Sequence, residues 1–397
     1  MQPAAPLIVV TDGWLANAGD AAILLAMQDS LRRAIPGVRI VFCAHHRQLV
    51  GDRYPSLDLA SPLDAVTGAR WPWTSQADLD GREAAERLVE NADLVIVPGG
   101  GFLFEHYHPE ARLDAYEMLL ERGARLAFYA QSIGEFQDDG LRCRLAEILS
   151  AASLVLARDR ASFETIRALC DPSTLHLTAD EAFLFPIRRR SRLRRHRALL
   201  ATVSAHPWSM GSAGVLALGR EEIASVAESL CRVLRNRQFG RITLASTAQG
   251  LGGKRWAIED DAIVAAAVRD SMPPELARRV SIAPGYLSAY EYAALAARHS
   301  AVVSMRMHGA ILATAVGTPA LLANGSDKAQ GLEDVIPVLR SPSDLGRLDE
   351  GLDGLVHKRG DCNPRESGAL AAVCRRAAQN ARHVAALLCP LILEFCL

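Results

Sequence analysis

The chain has almost no net charge. Its 44 Lys and Arg are balanced by 45 Asp and Glu, a formal −1 over 397 residues, so it lacks the basic excess that contacts along a nucleic acid require. It also lacks paired cysteines: Cys43, Cys143, Cys170, Cys231, Cys362, Cys374, Cys389 and Cys396 are scattered, with no C-x-x-C and no histidine at metal-ligand spacing. They read as small core hydrophobes of a reduced compartment, and no metal is expected. Met1 to Val10 has neither the basic start nor the apolar core of a secretory signal. The apolar tail from His383 to Leu397 is short and contains Pro390 and Glu394, so it does not read as a membrane span. A cytoplasmic location is expected by default.

What is present is apolar residue in quantity, 50% of the chain against 22% charged, enough at this length for two cores. A strand-helix rhythm runs through it. Leu7 to Val10 reads as a strand, and Asn17-Ala18-Gly19-Asp20 as a helix start before apolar Ile23, Leu24, Met27, Leu31 and Ile35. Pro36-Gly37 stops that helix, and Val38 to Cys43 returns as a strand. Leu94 to Val97 runs into Gly99-Gly100-Gly101, whose bare amides at a strand's carboxyl end favour close approach of a ligand. No Gly-Lys-Ser/Thr follows, and the spacing misses G-x-G-x-x-G. Further strands are expected at Arg125 to Ala130, Leu154 to Ala157 and Leu175 to Leu177, the second meeting Arg158-Asp159 at its handover to a helix.

Between Ile187 and Ala198 lies RRRSRLRRHR, seven arginines in ten residues. Such a block reads as a solvated linker, or in a sharper reading as contact with an anionic membrane surface. It separates a first domain, residues 1–187, from a second, 198–370, with the linker at 188–197 and a final helical segment, 371–397, returning to the first domain. The second half repeats the rhythm with strands at Leu199 to Ser204, Arg241 to Ala245 and Arg279 to Ile282. The fold class expected is α/β, two Rossmann-like domains facing a cleft.

The stretch from Ala301 to Asn324 carries the most chemistry. An apolar strand, Ala301 to Ser304, passes through Arg306 and His308 into a small-residue helix expected to begin near Gly309 and to end at Gly317-Thr318-Pro319. Two cationic side chains at a helix start favour an anion such as phosphate or carboxylate. The plain alternative is that Arg306 pairs with a nearby acid and His308 serves as a cap residue.

Read together, Asn17-x-Gly19-Asp20, Gly99-Gly100-Gly101, Gln131-x-Ile133-Gly134, Arg158-Asp159-x-x-Ser162, Asp180-x-Ala182-Phe183, Asp260-Asp261, Arg306-x-His308 and Gly317-x-Pro319 resemble the polysaccharide pyruvyl transferase family. The resemblance implies a glycosyltransferase-B-like architecture. It also implies transfer of the enolpyruvyl group of phosphoenolpyruvate to paired sugar hydroxyls as a cyclic ketal, with no further cofactor. His308 and Arg306 are then the catalytic candidates, with Arg158, His206, Gly309 and Lys328 binding the donor. Asn17, Gly19, Asp20, Gly99, Gly100, Gly101 and Gln131 would face the acceptor from the first domain. The acceptor is a sugar, glycan or other hydroxyl compound, free or lipid-linked, and the arginine-rich linker offers a peripheral membrane contact. Where the family usually places an Arg after the strand opening the second domain, this chain has His206. A nucleotide-sugar glycosyltransferase and a ligand-binding member without turnover are the alternatives.

Overall fold

Strands that are apolar on both faces need cover on both sides, and parallel sheets flanked by helices supply it. The computed structural model describes residues 5–45, 47–63, 80–134, 136–187, 197–204, 220–248, 261–323, 332–339, 348, 351–352 and 368–388. Among them, every residue of β4 (Leu94–Val97), β6 (Leu126–Ile133), β7 (Leu154–Ala157), β12 (Ala301–Ser304) and β13 (Ala320–Ala323) is buried.

The remaining strands of the first sheet are β1 (Leu7–Trp14), β2 (Arg39–His45), β3 (Leu59–Ala60), β5 (Gly100–Leu103) and β8 (Leu175–Leu177). Its order is β3-β2-β1-β4-β6-β7-β8, with β5 added beside β6, and every pairing is parallel. The second sheet adds β9 (Ala198–Thr202), β10 (Arg241–Ala245), β11 (Val280–Ile282) and β14 (Val338–Leu339). It runs β11-β10-β9-β12-β13-β14, again wholly parallel. Both orders reverse after the first strand of the sheet, between β1 and β4 and between β9 and β12. That reversal is the Rossmann pattern, which opens a crevice at the strand carboxyl ends.

Two compact units result: Met1–Leu15 with Ile23–Pro186 and Val373–Leu397, and Ala16–Ala22 with Ile187–Ala372. In the first, Tyr116 meets Phe128 edge to face, with ring centroids 5.6 Å apart, inside a core of Leu, Ile and Val from the sheet and the helices that cover it. In the second, Leu230, Leu234, Phe239 and Leu244 pack with Val303 and Leu321. Each such side chain contributes roughly 1.5–3 kcal/mol on burial.

The terminal helix Gly368–Leu388, part of the first unit from Val373 on, is tied there by Asn380, whose Nδ2 donates to the Ala179 carbonyl at 3.0 Å and to Glu181 Oε2 at 2.7 Å. Three residues further on, His383 stacks on His176 with centroids 4.0 Å apart. The arginine-rich stretch at 188–196 lies outside the described residues. Among the described residues, no helix is long and apolar enough to cross a membrane, and the described cysteines are unbridged.

Candidate functional site

In the second unit, β12 hands over to a helix at the sheet's switch point. Arg306 is the N-cap, extended at φ −96° and ψ 124°, and the helix Met307–Ala315 starts two residues earlier than the glycine suggested. The start is fixed from below by a buried hydroxyl cluster. Ser304 Oγ accepts the Arg306 amide at 3.2 Å and donates to the Arg306 carbonyl at 2.6 Å. The Tyr292 hydroxyl lies 2.8 Å from Thr202 Oγ1 and 3.2 Å from the Gly309 carbonyl. Burial holds this phenol above its usual range.

Gly309 belongs to that cluster rather than to an open surface. A Cβ there would stand 2.4 Å from Ser304 Oγ, and its amide donates to the Arg306 carbonyl at 3.0 Å. Expected to bind the donor, Gly309 is in the structure a close-packing residue.

The Arg306 guanidinium is held along one edge by Asp261, with Nε 3.1 Å from Oδ2 and Nη2 2.7 Å from Oδ1. The Asp261 side chain is fully enclosed, that of Arg306 16% exposed. Asp261 also accepts the Ala248 amide at 3.1 Å. From Ala248 the contacts run to Asn17, which bridges it, and from Thr247 to Ala18, whose amide donates to the Thr247 carbonyl at 2.7 Å. The Asn17 side chain caps the turn by accepting the Gly19 amide at 2.8 Å. His308 then closes the circuit, because its ring packs on Gly19: a Cβ at residue 19 would lie 2.4 Å from His308 Cβ and 2.6 Å from both Cγ and Nδ1. Asn17, Gly19 and Asp20, expected on the first-domain side, thus cluster with the second unit around Arg306 and His308.

The first unit treats its expected ligand contacts differently. Arg158, 4% exposed, places Nη1 2.8 Å from Asp180 Oδ2 and Nε 2.5 Å from Ser132 Oγ. Ser132 donates to Asp159, and Asp159 caps the helix Arg160–Leu169 through the Ser162 amide. The Ser162 hydroxyl accepts the Ile133 amide at 3.0 Å. Arg158, expected as a donor ligand, lies at the centre of a clasp that ties β6 and β7 to the turn after β8.

The glycine run is likewise internal. Gly100 and Gly101 begin β5, and a Cβ on Gly99 would meet the Ala130 carbonyl at 3.0 Å. Gln131 is fully buried and donates through Nε2 to the Pro98 carbonyl. In the structure these residues take part in backbone packing: β5 lies beside β6, off the main strand order. His206 and Lys328 lie outside the described residues.

Sequence reasoning passed over two residues. Asp261 is the carboxylate that orients Arg306, and its signal was its place in the Asp260-Asp261 pair. Asp12, at the carboxyl end of β1, adopts a left-handed φ of 49° and accepts from Thr11 Oγ1 and the Tyr116 hydroxyl, each at 2.9 Å. Arg112 approaches it at 3.7 Å and sits 5.0 Å over the Phe102 ring. A non-glycine residue in that conformation carries local strain. Among the described residues, no group of three or more His, Cys, Asp and Glu is placed to hold a metal.

Three solved structures share this architecture over almost their whole length. S. aureus MnaA with UDP covers 97% of this chain and 97% of its own at a TM-score of 0.61 and 9% identity. UDP-GlcNAc 2-epimerase from Neisseria meningitidis bound to UDP-GlcNAc covers 96% and 99% at 0.58 and 11%. The Methanocaldococcus jannaschii UDP-GlcNAc 2-epimerase covers 96% and 99% at 0.57 and 10%. Identities this low speak for the glycosyltransferase-B-like fold and for nothing finer. No curated protein matches the sequence. The family model for polysaccharide pyruvyl transferase matches residues 17–326, a span that begins at the Asn17 turn and includes Asp261, Arg306 and His308. The chain therefore belongs to the polysaccharide pyruvyl transferases, a family of glycan-modifying transferases.

Proposed function

We propose that the protein transfers the enolpyruvyl group of phosphoenolpyruvate to two hydroxyls of a sugar or glycan, forming a pyruvate ketal and releasing phosphate. The observation that carries this reading is the closed circuit from Asn17 through Ala248, Asp261 and Arg306 to His308, which fixes a guanidinium and an imidazole at the second sheet's switch point. The donor bears a carboxylate and a phosphate, and oriented cations are what such a ligand needs.

The atoms balance with these groups in named roles. The methylene carbon gains a proton, one sugar oxygen bonds to the neighbouring carbon, and the second sugar oxygen displaces phosphate. One hydroxyl proton thus ends in the new methyl group and the other departs with phosphate. His308 is the acid/base, since imidazole both gives and takes a proton near neutral pH. Arg306, oriented by Asp261, binds the donor. No cofactor enters this scheme. His206 and Lys328 remain donor-side proposals, and the arginine-rich stretch a proposed contact for a lipid-linked acceptor.

The test is phosphate release from phosphoenolpyruvate with candidate glycans. His308→Ala is expected to lower kcat about 10²–10⁴-fold while the protein stays folded, because the half-buried ring lies at a helix start. Unchanged turnover in that variant, or release of UDP or GDP from a sugar nucleotide instead, would overturn the reading.

A further inference from the structure

We infer that Gly19 is a positioning residue for the catalytic imidazole: its missing side chain makes the seat in which the His308 ring lies. The inference deepens the proposed reaction and rests on it for the role of His308, but the seat itself is a matter of atoms in contact.

Glycine at this place needs an explanation, because it is the second residue of the helix Ala18–Ala34, where alanine is the better helix former. Backbone conformation does not supply one. Gly37, Gly123, Gly285 and Gly317 are the described glycines with positive φ, and Gly19 is not among them. Capping does not supply one either, since Asn17 satisfies the Gly19 amide through its own side chain. What Gly19 lacks is room. The atoms a Cβ would strike, at 2.4 to 2.6 Å, are Cβ, Cγ and Nδ1 of His308, the inner part of a side chain anchored at the second residue of its own helix. Inner atoms cannot swing away as the tip of a long side chain can. Cγ and Nδ1 move only by a change of χ1 to another staggered well, and Cβ only with the helix start. The helix start is itself pinned by Ser304 and Tyr292.

The Asn17–Asp20 turn, read from the sequence as facing the acceptor, is on this argument part of the reaction centre of the second unit. A fixed imidazole matters because a displacement of about 1 Å at a reacting group costs on the order of 10² in rate.

Two measurements test the seat, the first without any substrate. Melting temperatures are compared for wild type, Gly19→Ala, His308→Gly and the double variant. Gly19→Ala is expected to lower the melting temperature of the wild type. In the His308→Gly background, where all three struck atoms are gone, it should leave the melting temperature unchanged or raise it through better helix propensity. The same shift in both backgrounds, or none in either, overturns the inference.

The second measurement is phosphate release from phosphoenolpyruvate. Gly19→Ala should lower kcat about 10²-fold with KM for phosphoenolpyruvate within about 2-fold, and should add nothing to the loss in His308→Ala. A raised KM with unchanged kcat would place Gly19 in donor binding and overturn the positioning role. If wild type releases no phosphate, the proposed reaction fails, while the melting comparison still decides the seat.

Discussion

Two arginines stand at the end of a strand in this molecule, each paired with an aspartate, and they have opposite fates. In the first unit Arg158 and Asp180 are 4% and 5% exposed, with Ser132 on Nε. In the second unit Asp261 is sealed, but Arg306 retains 16% exposure and stands two residues from a histidine on the first turn of a helix. The local sequence signal is the same, a cation where a strand hands over to a helix. What differs is the surrounding chain. Around Arg158 the Asp180 carboxylate and the Ser132 hydroxyl hold Nη1 and Nε in a buried clasp, whereas Asp261 holds Nε and Nη2 of an Arg306 side chain that stays partly exposed near His308. A buried ion pair is costly to assemble and more costly to break, so both arginines are structural, and in the proposed reaction only Arg306 also serves the chemistry.

The comparison can be broken most forcefully at Arg158. Arg158→Ala leaves the Asp180 carboxylate buried without its partner, which is expected to cost about 3–5 kcal/mol of stability, read by denaturant unfolding. A loss below about 1 kcal/mol would show that the clasp is not what holds β6 and β7 to the turn after β8.

The next effect concerns Glu181, beside that clasp. Burial pushes its carboxyl up to about 7 from the ordinary 4.5, aided by the Asp180 charge and opposed chiefly by the hydrogen bond from Asn380. The native state therefore binds a proton that the unfolded state has released. The contribution is complete below about pH 4.5 and is lost as pH rises through about 7, a swing of about 3 kcal/mol. Glu181→Gln should abolish that pH dependence and be the more stable protein at pH 8. A variant with the wild-type profile would assign the dependence to other groups.

The smallest effect sharpens the contrast at the second arginine. Arg306→Lys replaces a two-point contact to Asp261 by a single ammonium and should raise KM for phosphoenolpyruvate about 10-fold, or about 1.4 kcal/mol. Arg158→Lys should leave that KM unchanged while lowering stability. Equal effects of the two lysine variants on KM would erase the distinction between clasp and site.

Much of the framework was legible along the chain. Leu94–Val97, Leu154–Ala157, Leu175–Leu177, Arg241–Ala245 and Ala301–Ser304 are strands at the expected limits, because short apolar runs bounded by turn residues bury best in a parallel sheet. Gly317, at φ 76°, ends its helix as a left-handed residue must. The triple glycine is ambiguous in sequence because absent side chains serve a ligand and a neighbouring strand equally well. Here the neighbour is β6, and Gly100 pairs with Gln131. Asp12 gave no local sign of its left-handed turn, since that conformation is sustained by Tyr116, 104 residues away.

The amino-acid order by itself determined the alternation of strand and helix, the two blocks of it, and the presence of a cation and an imidazole at one helix start. Those follow from local periodicity, turn chemistry and the free amides of a helix terminus, all of which act over a few residues. Folding in three dimensions decided which polar residues are sealed and which stay open, that Asp261 is the partner of Arg306, and that a glycine near the amino terminus lies under a histidine 289 positions later. Such choices depend on contacts between segments distant in the chain, and burial makes a strut of an arginine that local sequence alone leaves open to a ligand.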